Sequence, residues 1–280
     1  MQTKSQIRKI AFIGDYLPRK CGIATFTKDL FHAVVSQYPG VQASVVAVTD
    51  IDGGYAYPAE VRFEIQEQNI GSYQRAADFL NISNVDLVCV QHEFGIYGGA
   101  AGSHLLALLR ELNMPVVPIF HTVLDQPNND QRRVMQDLIS LATRLSVMTR
   151  RAQTLLEKVY QAPSDRIDLI PHGIPDMPFA DTNFYKDQFG VEGKNVLLTF
   201  GLLSPDKGIQ HVLKALPEIL KEFPDTVYII QGVTHPNLIR EHGEAYRLSL
   251  ERLAKDNNVQ KNVIFYNRFV ELEELKEFIA

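Results

Sequence analysis

The feature that most constrains this chain is the alternation of two residue patterns along its length. Short apolar runs rich in β-branched residues are each followed by a segment whose apolar residues recur at three- and four-residue spacing. The first pattern predicts strands buried on both faces, and the second predicts helices that pack on them. Because a helix carries the chain back to the same end of the sheet after each strand, this order predicts an α/β fold with parallel sheets.

The predicted elements fall into two groups along the chain. Strands are predicted over 9–14, 43–49, 61–65, 85–91, 116–120, 145–149, 167–171, 195–201, 226–231 and 262–266. Helices are predicted over 24–38, 73–80, 103–112, 131–141, 151–160, 209–223 and 244–255, with one more beginning near 271.

The pattern fails between residues 173 and 193, where prolines, polar residues and isolated aromatics take over. This composition is typical of a connection between domains. We therefore predict a first domain over 1–175, a linker over 176–194 and a second unit over 195–280. Three strands and three helices are too few to cover both faces of a doubly wound sheet, so the second unit is expected to be incomplete.

Composition limits the class of partner. The formal net charge of −5 leaves no general basic field for a nucleic-acid backbone, and 45% hydrophobic residues exclude an intrinsically disordered chain. Two cysteines, Cys21 and Cys89, cannot build a disulfide framework, which favours a reducing, cytoplasmic setting. The sequence has no uninterrupted apolar run of about 18–20 residues. Contact with a membrane surface remains open.

The loop after the first strand contains Cys21-Gly22-Ile23 and leads into a helix. Ligands collect at the carboxyl ends of parallel strands, where a helix N-terminus offers N–H groups, and Gly22 would let a ligand approach the backbone. The loop lacks the G-x-G-x-x-G pattern, so nicotinamide binding has little support. An ordinary β–α connection is the alternative.

Histidines end several predicted strands. His92-Glu93 and His121 follow two of them, and His172-Gly173 follows the last strand of the first domain. Strand ends in one parallel sheet share a rim, so His92 and His121 are expected at one candidate site, with a hydrogen-bonding or acid–base role at neutral pH. For either strand-end histidine alone a structural role is the alternative, and for His172-Gly173 a simple hinge.

The loop after the first strand of the second unit carries Gly201, Lys207 and Gly208. Gly201 permits a tight turn, Lys207 brings positive charge to a helix start, and Gly208 clears space beside it, as phosphate binding requires. The loop is not a Walker loop, and a plain loop with a solvated lysine is the alternative. The D-x-D triplet at 50–52 is interpreted as a solvated turn, and the histidines show no metal-ligand spacing.

Taken together, these residues resemble the retaining glycosyltransferases of the GT-B fold, and within them the family 4 type. The resemblance extends over essentially the whole chain. The elements that carry it are, in chain order, Cys21-Gly22-Ile23, His121, Ile170-Pro171-His172-Gly173-Ile174, Gly201 with Lys207-Gly208, and the segment from Gln231 to Pro236 with Gly232.

The resemblance implies two Rossmann-like domains facing a cleft and transfer of a hexosyl unit from a nucleotide-diphosphate sugar to a sugar or glycoconjugate acceptor. No metal or other cofactor is implied. His121 would contact the transferring sugar as the catalytic residue. The donor phosphate and sugar would be bound by Gly22, Gly201, Lys207, Gly208 and Gly232. The residues implied to line the cleft or contact the acceptor are Cys21, Ile23, His92, Glu93, His172 and Gly173.

Two positions depart from the family pattern. Relatives commonly carry Arg after the glycine that corresponds to Gly201, whereas this chain has Leu202, so Lys207 would carry more of the diphosphate charge. The E-x7-E element, which binds the donor sugar in the family, is expected after residue 280.

Two other functions stay open. A nucleotide-sugar epimerase or a phosphorylase would use similar units and phosphate-binding loops, although an epimerase needs no acceptor and a phosphorylase needs inorganic phosphate. A non-catalytic nucleotide-binding or scaffold fragment is the third interpretation.

Overall fold

The structure is a computed structural model, and it describes residues 7–174, 177 and 181–280. The chain divides into two compact units, 1–173 and 174–280. The predicted boundary between 175 and 176 lies outside the described residues.

The first unit is built on a parallel sheet of seven strands in the order β3-β2-β1-β4-β5-β6-β7 over the described residues. The strands are β1 Lys9–Gly14, β2 Gln42–Thr49, β3 Val61–Gln66, β4 Leu87–His92, β5 Val116–Phe120, β6 Leu145–Val147 and β7 Ile167–Leu169. The helices are α1 Gly22–Gln37, α2 Ile70–Ile82, α3 His104–Leu109, α4 Asn129–Leu141 and α5 Arg150–Tyr160. Each was predicted to within a few residues.

Both faces of this sheet are buried, as the continuous apolar strands predict. Along β1, Ala11 and Ile13 belong to the larger core, whereas Phe12 between them belongs to a separate core on the other face. Helix α1 covers this second face with Phe31, and α2 to α5 cover the first. This period-two alternation of strand side chains fixes which residues at the strand ends meet.

The second unit contains a parallel sheet of three strands, in the order β10-β9-β8 over the described residues. They are β8 Asn195–Phe200, β9 Thr226–Gln231 and β10 Val263–Tyr266. The helices are α6 Thr182–Gln188, α7 Ile209–Glu222, α8 Pro236–His242, α9 Ala245–Asp256 and α10 Leu272–Ile279. The expected α/β class with two parallel-sheet units is confirmed.

Helices α6 and α8 were not predicted. Each has seven residues, shorter than the window in which helical periodicity can be recognised. Each begins with a side-chain cap that accepts a hydrogen bond from a backbone amide. Asp181 accepts from the amide of Asn183, and His235 Nδ1 accepts from the amide of Asn237. Helix α6 lies in the segment predicted as a linker, and Val191 just after it is buried in the core of the second unit.

Candidate functional site

The rim of the first sheet has its reversal point between β1 and β4, because β2 follows β1 on one side and β4 lies on the other. Ligands bind at such points in open α/β sheets. Here Gly14 ends β1, Gln91 and His92 end β4, and His121 follows β5.

His121 is bound at this rim by its neighbours. Its Nε2 lies 2.9 Å from Gln91 Oε1, and its backbone amide donates to the carbonyl of His92 at 3.0 Å. The Phe26 ring contacts it edge-on, with ring centroids 4.9 Å apart. Burial lowers the pKa of His121 to about 4, with a smaller contribution from the charge of His172. The imidazole is therefore neutral at physiological pH.

His172 reaches the same place from the end of β7. Its ring lies 5.0 Å from the Phe26 ring, and its Nδ1 is 2.6 Å from the carbonyl oxygen of Gly173. Both His172 and Gly173 are exposed. The structure thus brings His121 and His172 together around Phe26, a residue that the sequence analysis did not single out.

His92, in contrast, is buried. Its side chain is 1% exposed and packs edge-on against Phe94 and Phe120. Burial lowers its pKa to about 3, with a further contribution from His121, and its Nδ1 has no hydrogen-bond partner in the described part of the chain. The expectation that His92 lines the site does not fit this structure. The reason is that β4 extends through His92, and strand alternation turns this side chain into the core.

Glu93, the next residue, ties two strand ends together. Its carboxylate accepts from the amide of Phe94 at 2.9 Å and from the Thr122 hydroxyl through the other oxygen. Glu93 is half-buried beside the His121 loop. In this arrangement it supports the loop after β5.

Helix α1 begins at Gly22, and no side chain in the described part of the protein caps its N-terminus with a hydrogen bond. A Cβ placed on Gly22 would have no described atom within 4 Å, which leaves room beside this helix start. Cys21 precedes it, and burial together with the nearby Asp15 raises the pKa of its thiol to about 11, which makes it a poor nucleophile. Ile23 packs against the larger core.

Arg19 connects the ends of β1, β2 and β3. Its guanidinium lies 2.9 Å from Asp15, 3.5 Å from Asp50 and 3.5 Å from Glu67. Asp15 is fully buried, and burial raises its pKa to about 7 despite the attraction of Arg19. Asp50, the first residue of the D-x-D triplet, also accepts from the Tyr55 hydroxyl at 2.8 Å. Its carboxylate is thus used within the protein.

Two neutral histidines, the buried His92 and the half-buried His121, make the first unit sensitive to acid. Their folded-state pKa values, about 3 for His92 and about 4 for His121, lie below the ordinary value of 6.5. The stability that depends on their neutral state is therefore fully present above pH 6.5 and is lost as the pH falls toward 4. Replacing His92 with leucine should reduce the slope of the free energy of unfolding against pH by up to about 1.4 kcal/mol per pH unit between pH 6 and 4. Denaturant unfolding of both proteins across this range checks the prediction, and parallel pH profiles would contradict it.

In the second unit, the loops after β8 and β9 are joined by backbone hydrogen bonds. Leu203 donates to Val233 at 2.8 Å, and His235 donates to the carbonyl of Leu203 at 2.9 Å. Gly201 and Gly232 lie at the closest point, where a Cβ on Gly232 would be 1.8 Å from the Gly201 carbonyl oxygen. Gly232 also has a φ of +140°, which side chains rarely adopt. Glycine at 232 thus allows the two loops to meet.

Lys207 lies in a single 3-10 turn, Pro205–Lys207, immediately before α7. Gly208 adopts the left-handed conformation between this turn and the helix. Lys207 is exposed, and no hydrogen bond or ion pair joins its ammonium to another residue of the described ranges. Its charge nevertheless reaches His235, whose pKa is lowered by burial, by Arg240 and by Lys207. Lys207 and Arg240 therefore bring positive charge to the loops that Gly201 and Gly232 join.

Other site types are absent from the described residues. Within 7–174, 177 and 181–280, no group of three or more His, Cys, Asp or Glu side chains could hold a metal ion. In the same part of the chain, no helix combines the length and apolar character needed to cross a bilayer.

Residues 181–280 match the family Glycosyl transferases group 1. This segment contains the three strands of the second sheet and both of its joined loops. The match therefore falls on the unit in which Lys207, Gly208 and Gly232 lie.

A curated relative is similar over a larger part of the chain. It is a GDP-mannose-dependent α-(1-6)-phosphatidylinositol monomannoside mannosyltransferase from Mycolicibacterium smegmatis, 27% identical over 169 residues. The aligned region is 59% of this chain and 38% of the relative, so the chain spans less than half the length of that protein.

Solved structures show the fold. The Alr3699/HepE protein of Anabaena, crystallised with UDP, superposes with a TM-score of 0.67 at 15% identity and covers 95% of this chain and 71% of its own. A UDP-GlcNAc 2-epimerase from Neisseria meningitidis gives 0.54 at 13% identity, covering 96% and 74% of the two chains. Together with the match at 181–280, these comparisons confirm the GT-B-like fold class.

Proposed function

We propose that this chain is, or forms part of, a retaining glycosyltransferase that moves a hexosyl unit from a nucleotide-diphosphate sugar to a sugar or glycoconjugate acceptor without a metal ion. The observation that carries the proposal is the match of residues 181–280 to Glycosyl transferases group 1. The name of the M. smegmatis relative, a GDP-mannose-dependent mannosyltransferase, and the UDP in the Anabaena structure support a nucleotide-sugar donor.

The diphosphate is assigned to the joined loops of the second unit. Breaking the bond between sugar and diphosphate leaves negative charge on the departing phosphate, and fixed positive charge stabilises it. Lys207 supplies this charge at the start of α7, and Arg240 adds to it, as their shared effect on His235 indicates. Arg240 thus offers a second cation in a chain that has Leu202 where relatives commonly have arginine.

The sugar is assigned to His121 of the first unit. The anomeric carbon gains positive charge as the glycosidic bond breaks. An imidazolium would repel this charge, but His121 is neutral because burial lowers its pKa to about 4. His121 can therefore offer a lone pair to the sugar without opposing the reaction. Gly22 would leave room for the donor at the start of α1, and His172, Glu93, Gly173, Cys21 and Ile23 remain proposed neighbours of the donor or acceptor.

Replacing Lys207 with alanine is expected to weaken nucleoside-diphosphate binding by roughly 1–3 kcal/mol, the cost of losing one hydrogen bond to a charged group. Calorimetric titration with UDP, GDP and ADP measures this loss. Lys214→Ala is the matched control, because Lys214 is an exposed lysine on α7 and the change in net charge is the same. Equal affinity of the two variants would remove Lys207 from the binding site.

Replacing His121 with alanine is expected to lower kcat by roughly 10–100-fold with little change in donor affinity, because its contact strengthens as charge develops on the sugar. Steady-state kinetics together with donor titration separates the two effects. If kcat and affinity fell equally, His121 would be a packing residue only.

An epimerase is the competing function, and the N. meningitidis structure shares the fold at 13% identity. The match to Glycosyl transferases group 1 favours transfer instead. The products decide between them, since an epimerase converts a nucleotide sugar with no acceptor present.

A further inference from the structure

Gln91 is a polar residue in a position that the fold makes apolar. It lies on β4 between Val90 and His92, is 0% exposed, and is surrounded by core strands. Gly14 makes room for it, because a Cβ at residue 14 would lie 2.8 Å from the Cβ of Gln91. Burying an amide costs free energy unless its polar atoms are hydrogen-bonded. Its contacts therefore show what the residue does.

The stronger of these contacts is with His121. Gln91 Oε1 lies 2.9 Å from His121 Nε2. Among the described residues, the one hydrogen-bond partner of its amide nitrogen is the sulfur of Cys89, a weak acceptor, at 3.7 Å. An amide oxygen can only accept a hydrogen bond, so His121 Nε2 must carry a proton in this arrangement.

A neutral imidazole holds one ring proton, so a proton on Nε2 leaves Nδ1 with a free lone pair. The edge-on Phe26 ring restricts the orientation of the His121 ring. Within the described ranges His121 Nδ1 forms no hydrogen bond. It is also not enclosed by protein, so a ligand or solvent can reach it. His121 Nδ1 is therefore a hydrogen-bond acceptor, and a hydroxyl group is a suitable donor to it.

We propose that Gln91 is a positioning residue that fixes His121 as its Nε2–H tautomer, so that Nδ1 accepts a hydrogen bond from a hydroxyl of the sugar. The identity of the ligand rests on the proposed function, but the tautomer does not. An anionic group such as phosphate would be repelled by this lone pair. Gln91 therefore favours a hydroxyl-bearing ligand over an anionic one beside His121.

The test is the ring tautomer of His121 in ligand-free protein at pH 7, read from two-dimensional proton–nitrogen spectra of protein labelled with ¹⁵N-histidine. The His121 signals are assigned from their loss in His121→Asn. Wild-type protein is expected to show only the Nε2–H tautomer, and Gln91→Leu a mixture with Nδ1–H. A wild-type Nδ1–H tautomer, or a Gln91→Leu spectrum unchanged at His121, would overturn the proposal.

Two further variants keep the test decisive if Gln91→Leu does not fold. Gln91→Glu retains an acceptor at the same place, so the Nε2–H proton should remain while the new negative charge raises the pKa of His121 from about 4 toward or above 6.5. Cys89→Ala removes only the weak contact of the amide nitrogen and should leave the tautomer unchanged. A pKa for His121 that stays near 4 in Gln91→Glu would contradict a direct contact.

These spectra are recorded without ligand, so their result is independent of the proposed function. Titration with nucleotide sugars tests the function separately. A confirmed tautomer without nucleotide-sugar binding would retain Gln91 as a positioning residue for another hydroxyl-bearing ligand.

Discussion

Replacing Gly232 with alanine is expected to destabilise the second unit by roughly 3–5 kcal/mol and to abolish the proposed nucleoside-diphosphate binding. The new Cβ would lie 1.8 Å from the carbonyl oxygen of Gly201, and a side chain would be strained at a φ of +140°. Since the atom it meets is backbone, the two loops must separate to relieve the contact. Their separation would displace Lys207, which lies a few residues after Gly201.

Gly190→Ala is the matched control for Gly232→Ala. Gly190 also has a positive φ, +65°, but a Cβ there would meet nothing within 4 Å. Gly190→Ala should therefore lower the free energy of unfolding only by the strain of a left-handed backbone at alanine, about 1–2 kcal/mol. Denaturant unfolding followed by circular dichroism measures both variants. Similar losses in the two proteins would show that the contact between the loops is not tight.

Replacing Arg19 with methionine is expected to lower the stability of the first unit by roughly 3–5 kcal/mol, the cost of removing one partner of a buried ion pair. The side chain of Arg19 is 13% exposed and that of Asp15 is 0% exposed. Without the guanidinium, Asp15, Asp50 and Glu67 would repel one another in a poorly solvated place. The β1–α1 loop, which carries Gly22, would lose its connection to β2 and β3.

The loss in Arg19→Met should grow as pH rises. Asp15 already has a pKa raised to about 7, and losing the attraction of Arg19 raises it further, so the folded state retains a proton that the unfolded state releases. Protonated Asp15 is therefore tolerated at pH 5 but costs stability at pH 8. Arg133→Met is the control, because its pair with Asp130 is exposed and should contribute at most about 1 kcal/mol. A deficit for Arg19→Met that did not change with pH would contradict the role given to Asp15.

The strands and longer helices could be predicted from the sequence because their patterns are local. Apolar runs specify buried strands, and parallel connection places all their carboxyl ends on one rim. This reasoning placed His121 at the rim, whereas His172 was expected in the cleft only from the resemblance to the family. The structure brings both against Phe26.

The side chain of His92 could not be placed by the same reasoning, because its direction depends on whether β4 ends at residue 91 or at residue 92. With β4 ending at 91 the side chain would be free at the rim, but the strand includes His92 and its side chain alternates into the core. The same alternation turns Gln91 toward His121. A single glutamine within an apolar run was the available signal for this residue.

The ion pairs of Arg19 with Asp15, Asp50 and Glu67 could not be predicted from the sequence for another reason. The three carboxylates come from the ends of β1, β2 and β3, and nothing in the spacing of Asp50 and Glu67 indicates a shared partner. Such contacts depend on strand order, which places β2 and β3 beside β1. The burial that raises the pKa of Asp15 follows from the same packing.

The most direct test of the proposed function is nucleotide release by the full-length protein from a panel of UDP-, GDP- and ADP-sugars offered with a mixture of sugar and glycoconjugate acceptors. Phosphorus NMR follows the nucleoside diphosphate, and proton NMR reads the anomeric configuration of the product. If the protein is a retaining glycosyltransferase, one donor is expected to yield a nucleoside diphosphate and a glycoside of unchanged configuration, at a rate lowered in His121→Ala. An epimerised donor in the absence of acceptor, or no diphosphate from any donor, would contradict it.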